Sequence, residues 1–135
     1  MNEHVGRGLV LVVEDDDATR VALVEALAEH GYSAAGAKTF GAARVVLRRI
    51  APDAIVLDLG LPDGDGANLL RHLRASSDPR LTALPVLVVS GWSDARERAL
   101  GADAVVAKPV QARAVALALA DLLARRTILR ASGTS

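Results

Sequence analysis

Five side chains able to do chemistry stand directly after apolar runs of this chain. Glu14 and Asp15 follow LVLVV (9–13), Asp58 follows AIVL (54–57), Ser90 follows PVLVV (85–89) and Lys108 follows AVVA (104–107). Carboxylates brought together in this way resist one another: two unit charges about 4 Å apart repel by roughly 4 kcal/mol at an effective dielectric near 20. Lys108 offsets part of that. A hard divalent cation such as Mg²⁺ offsets more, because it takes one or two carboxylates and fills its other positions with water and phosphate oxygens. A carboxylate so placed, with a lysine and a hydroxyl aimed at the same point, can attack phosphorus and keep the group as an aspartyl phosphate. In such transfers the protein mainly positions groups and neutralises charge. His4, His30 and His72 fall outside the set, so a histidine phosphodonor has to come from a partner.

Taken singly, each residue has an ordinary explanation. Asp16 or Asp17 suits a helix N-cap, Asp58 could simply end a strand, Ser90 could be a loop hydroxyl and Lys108 a solvated charge. Only their joint arrival at one place makes a site, so the elements that carry them decide the matter.

The apolar runs do not alternate with polar residues, which is the pattern of parallel strands covered on both faces by helices. SAAGA (33–37) supplies a fifth strand despite poor strand composition. Helical periodicity runs over Ala18 to His30, Phe40 to Ile50, Leu69 to Ala75 and Val110 to Arg126, the first starting after an aspartate cap and stopping at Gly31. Five strands alternating with helices predict a flavodoxin-like, doubly wound α/β parallel sheet of order 2-1-3-4-5. In such sheets ligands bind beyond the carboxyl ends of the strands, where Glu14, Asp58, Ser90 and Lys108 converge.

At 135 residues the chain suits one domain. Half of it is apolar, which excludes a disordered chain, and sixteen acids balance sixteen bases, so no overall field draws it to nucleic acid. Without cysteine there is no disulfide framework, thiolate metal site or thiol nucleophile. No apolar run approaches the roughly 20 residues needed to span a bilayer, and MNEHVGRG lacks a secretory pattern; no membrane insertion and a cytoplasmic location are expected.

The segments VLVVEDDDATR, IVLDLGLPDGDG, LPVLVVSGWSD and VVAKPV, in this order, resemble the receiver domain of two-component response regulators of the chemotaxis-regulator kind, from about Leu9 to Arg126. The resemblance implies that Asp58 is the phosphoacceptor. It implies Asp15 as a direct Mg²⁺ (or Mn²⁺) ligand, Glu14 acting through water, and the Gly60 carbonyl completing the protein's share. Ser90 is then the switch hydroxyl, Lys108 pairs with the phosphoryl oxygens, Gly91 is the small residue beside them, and the Lys108-Pro109 bond is cis. The glycines after Asp58 are expected to let backbone approach metal and phosphate.

The implied partners are a sensor histidine kinase or histidine phosphotransfer protein and an unknown downstream protein. On this reading residues 1–8 form an arm, 9–126 the receiver and 127–135 a tail, either as a stand-alone receiver or as one excised from a hybrid kinase. The domain would phosphorylate and dephosphorylate itself without being a turnover enzyme.

Two departures from the family stand out. The stretch from Ser90 to Lys108 is about one turn short, predicting a stunted fourth helix over Ala95 to Leu100, and Val105 stands where relatives often carry an aromatic switch. Trp92 either covers the apolar gap left by the short helix, or gates access to Asp58 or anchors a partner. Of the competing functions, a haloacid-dehalogenase-type hydrolase needs a second acid where this chain has Gly60. A flavodoxin cofactor site is disfavoured by the acids after the first strand. A binding module that is never phosphorylated keeps the fold but leaves the acidic cluster without a use.

Overall fold

The structure is a computed structural model that describes residues 6–131. Five parallel strands form the main sheet: β1 (Leu9–Val13), β2 (Ser33–Ala37), β3 (Ala54–Leu57), β6 (Val86–Ser90) and β7 (Ala104–Ala107), in the order β2-β1-β3-β6-β7. This is the expected 2-1-3-4-5 arrangement. Register follows from the apolar runs lying abreast, with Val10 opposite Ala54, Ile55 opposite Val86 and Leu87 opposite Ala104.

Because side chains alternate across a strand, each run feeds two cores. Leu11, Val13, Ile55, Leu57, Val86 and Val88 face one layer; Val10, Val12, Ala54, Val56, Leu87 and Val89 face the other. The helices α1 (Asp17–Glu29) and α6 (Ala112–Ala131) close the second layer through Leu23, Leu27, Val115 and Leu119. The first layer is closed by α2 (Phe40–Arg49), α3 (Gly66–Arg74), and the single turns α4 (Pro79–Thr82) and α5 (Ala95–Arg98). Burial on both faces is why these strands read as unbroken apolar runs. SAAGA forms the outer strand β2, pairing along its whole length with β1.

Helix boundaries differ from the periodic pattern where side chains cap them. Asp65 accepts the Ala67 amide at 2.8 Å, so α3 begins at Gly66, three residues before the expected start. At the other end of the chain, α6 runs past the expected stop at Arg126, through residues of TILRA that include neither glycine nor proline. Part of the predicted 127–135 tail is therefore helix. His4 and most of the predicted arm lie outside the described residues. Two small elements lay outside the predicted set: the hairpin β4 (Gly60–Leu61) with β5 (Gly64–Asp65), and α4, which Asp78 caps. Among the described residues, no helix is long and apolar enough to cross a membrane.

Arg74, at the end of α3, ties the lower half of this layer together. Its guanidinium donates to the carbonyls of Gly101, Thr82 and Leu84 at 2.9, 3.1 and 2.8 Å, and meets Asp103 at 3.1 Å. Asp103 in turn accepts the Val86 amide at the start of β6. Arg74→Ala removes a hub of charge-assisted bonds, and an unfolding midpoint in urea lowered by an amount equivalent to about 2 kcal/mol is expected.

Candidate functional site

Backbone bonds carry the parallel ladder one step beyond the strand ends and so fix the rim. Glu14 N donates to Ala37 O, Asp58 N to Val13 O and Lys108 N to Ser90 O, each at 2.9 Å. Glu14, Asp58, Ser90 and Lys108, from four distant segments, are thereby held at one edge. Glu14, Asp58 and Ser90 are the buried polar side chains among the described residues.

Within this cluster the contacts are specific. Lys108 Nζ lies 2.9 Å from Glu14 Oε1 and 3.4 Å from Asp58 Oδ2. The other Asp58 oxygen accepts the Gly60 amide at 3.2 Å, and the other Glu14 oxygen accepts the Asp16 amide at 3.1 Å. Burial pushes the Glu14 carboxyl above its usual value; its Lys108 and Asp16 bonds only partly counter this, and the Asp58 charge adds to it. For Lys108, burial acts to lower the ammonium pKa, but the Glu14 bond and the Asp58 charge outweigh it and hold it above the usual range. The lysine is therefore a fixed cation at neutral pH.

Asp15 stands exposed beside this pair. Glu14, Asp15 and Asp58 each offer a carboxylate oxygen, all within 4.8 Å of one another. Three carboxylates against one lysine leave the cluster short of positive charge, and an oxygen-only donor set is the kind that hard divalent cations take. The cluster can hold such a cation.

Of the two cap candidates, Asp16 and Asp17, it is Asp16 that caps α1: it accepts both the Thr19 amide at 2.8 Å and the Thr19 hydroxyl at 2.6 Å, which hold its pKa low. Ser90 ends β6, and its Oγ accepts the Trp92 amide at 3.0 Å. The Lys108–Pro109 peptide is cis. The histidines are elsewhere where described: His30 caps the end of α1 and His72 is exposed on α3.

A Cβ at Gly66 would fall 2.4 Å from Asp58 O and 2.8 Å from Leu59 Cα. This glycine therefore lets α3 pack against the backbone that follows β3. At Gly91 the nearest atom to such a carbon is Lys108 Cβ, at an ordinary 3.9 Å.

Several residues around the site were not singled out from sequence. Asp63, on the β4–β5 turn, accepts the amides of Gly41 and Phe40 at the start of α2, and these bonds hold its pKa low. Arg98 reaches Asp65 at 2.6 Å across the rim. The cap role of Asp65 had a local signal, an aspartate just before a periodic run; the partner of Arg98, 33 positions away, had none. The shortened helix is a single turn over Ala95–Arg98, two residues less than expected. Val105 is partly buried against the first core layer.

The comparisons with known proteins agree with this geometry. The family described as "Response regulator receiver domain" matches residues 10–120. Response regulator MprA of a Mycobacterium species is 37% identical over 126 residues, covering 90% of this chain and 50% of that protein. The virulence transcriptional regulatory protein PhoP of Salmonella typhimurium is 37% identical over 122 residues, covering 87% and 53%. The chain thus spans about half the length of the curated relatives it matches. Among solved structures, the signal receiver domain of a histidine kinase from Syntrophus aciditrophicus is similar with a TM-score of 0.77 and 32% identity, covering 87% of this chain and 90% of that one. With most of its length matched and the acidic cluster assembled on the same sheet, the chain belongs to the response regulator receiver domain family.

Proposed function

We propose that the chain is a phosphoacceptor: it takes a phosphoryl group onto Asp58 from the phosphohistidine of a sensor kinase or phosphotransfer protein, and signals by changing its contacts with a downstream protein. The observation that carries this reading is the Asp58 carboxylate itself. It is buried at a strand end, with one oxygen on the Gly60 amide and the other facing Lys108.

In this reading an Asp58 oxygen attacks phosphorus in line with the P–N bond of the donor. The new O–P bond forms as that bond breaks, and the imidazole leaves with the electron pair. Lys108 already stands beside the nucleophile and neutralises charge gathering on the phosphoryl oxygens. Ser90 Oγ, which accepts the Trp92 amide, donates its hydroxyl proton to an oxygen of the transferred group, and Gly91 leaves space beside it.

Mg²⁺ or Mn²⁺ would be held by Asp15, Asp58 and the Gly60 carbonyl, with Glu14 acting through water because its own oxygens are engaged by Lys108 and Asp16. Such an ion supplies positive charge to the phosphoryl oxygens. A protein donor suits the surroundings of Lys108. A cavity of about 590 Å³ opens there between α1 and α6, with Ala18, Ala22, Leu23, Pro109 and Val115 in its walls. A helix of a partner could seat apolar side chains in it.

The test is intact mass after incubation with acetyl phosphate and Mg²⁺. The expected product carries one added phosphoryl group that hydroxylamine removes, as it does for an acyl phosphate, leaving a hydroxamate locatable at residue 58. A chain that gains no mass, or gains a hydroxylamine-resistant phosphate, contradicts the reading.

A further inference from the structure

Two carboxylates of the cluster are fixed by their own side-chain contacts. Glu14 is held by Lys108 and the Asp16 amide, and Asp58 by Lys108 and the Gly60 amide. Among the described residues, no hydrogen bond or ion pair reaches the third, the exposed Asp15 carboxylate. Its direction is therefore set by the two peptide planes that flank it. The plane after it is held by the Asp16 amide on Glu14 Oε2, and the plane before it by Arg20, whose Nη1 donates to Glu14 O at 3.1 Å.

Arg20 is itself fixed. Its Nη2 meets Asp17 Oδ1 at 2.7 Å, and its stem crosses the outer strand β2 at Gly36. A Cβ on Gly36 would fall 2.9 Å from Arg20 Cδ, 3.3 Å from Cγ and 3.4 Å from Nε. Gly36 is not among the glycines with positive φ, so backbone conformation does not require glycine there. Clearance for the arginine does. A glycine inside a strand marks this kind of close approach, and it accounts for the weakest strand former in SAAGA.

We infer that Arg20, lying over Gly36, is a positioning residue for the metal: it aims the Asp15 carboxylate by holding the peptide that precedes it. This rests on the reading of Glu14, Asp15 and Asp58 as the Mg²⁺ site of the acceptor. The charge of Arg20 works against such a role, since a cation beside the cluster repels another. That opposition gives a test by sign. Loss of the arginine tightens metal binding if only its field matters, and weakens it if its hydrogen bond aims Asp15.

Mn²⁺ is the probe, its free concentration read by electron paramagnetic resonance in titrations of the full chain. Arg20→Met keeps most of the stem and drops the charge and the donors; its dissociation constant for Mn²⁺ is expected to rise about ten-fold. Gly36→Ala keeps every charge and lifts the arginine off the strand, and a rise of about three-fold is expected. The Mg²⁺ concentration for half-maximal labelling by acetyl phosphate should rise by the same factors, whereas a loosened fold lowers the maximal rate instead. Binding that is unchanged or tighter in Arg20→Met overturns the role and leaves the metal site standing. So does unchanged binding in Gly36→Ala, which carries the test alone where Arg20→Met does not fold. A wild-type chain that takes up no Mn²⁺ removes the metal site itself, and the positioning role with it.

Discussion

Asp58→Asn is expected to abolish labelling by acetyl phosphate while the chain stays folded and melts no lower than wild type. The two halves have separate physical causes. An amide oxygen keeps the acceptor for the Gly60 N–H, now 3.2 Å from Asp58 Oδ1, so the loop has no reason to move. The same change deletes one negative charge from a cluster in which Glu14, Asp15 and Asp58 crowd their oxygens within 4.8 Å, and Asp58 is among the charges that push Glu14 upward. Relief of that repulsion compensates for the loss of one partner of Lys108. What is lost is the nucleophile, because a neutral amide offers no carboxylate oxygen to phosphorus. Mass spectrometry and thermal melting on the same sample check both. Retained labelling would move the acceptor elsewhere; a chain that fails to fold would make Asp58 structural.

Gly66→Ala should have the opposite profile, harming the fold first and the chemistry through it. The added carbon would meet Asp58 O at 2.4 Å and Leu59 Cα at 2.8 Å, both backbone atoms that cannot swing aside. Either α3 slides away from the sheet or the backbone at Asp58 shifts, and Leu69, Leu70 and Leu73, all fully buried, are then drawn out of register with the core. Overpacking of this kind costs about 3 kcal/mol, which denaturant unfolding can read. In the fraction that remains folded, displacement of Asp58 relative to Lys108 by about 1 Å is expected to slow labelling about 100-fold. Wild-type stability with wild-type labelling would show that the helix can retreat at no cost.

Much of the fold was legible because its cause is local. Unbroken apolar runs mark strands buried on both faces, and Asp16 and Gly31 bound α1 through a cap and a positive-φ residue (+92°). Even SAAGA, weak by composition, was placed by the alternation of elements around it. Glu14, Asp58, Ser90 and Lys108 could be brought together on paper because parallel topology sends every strand's carboxyl end to one rim.

The sequence by itself determined which groups reach the rim, since strand direction and alternation depend on residues near one another in the chain. Only tertiary structure decided how those groups divide their contacts: Lys108 leaning on Glu14 more closely than on Asp58, Gly66 clearing the acceptor backbone, and Trp92 caught between Gly60 and Arg98. These depend on distances between segments up to 94 positions apart. Local patterns carry no record of such distances, because packing both layers against the sheet sets them.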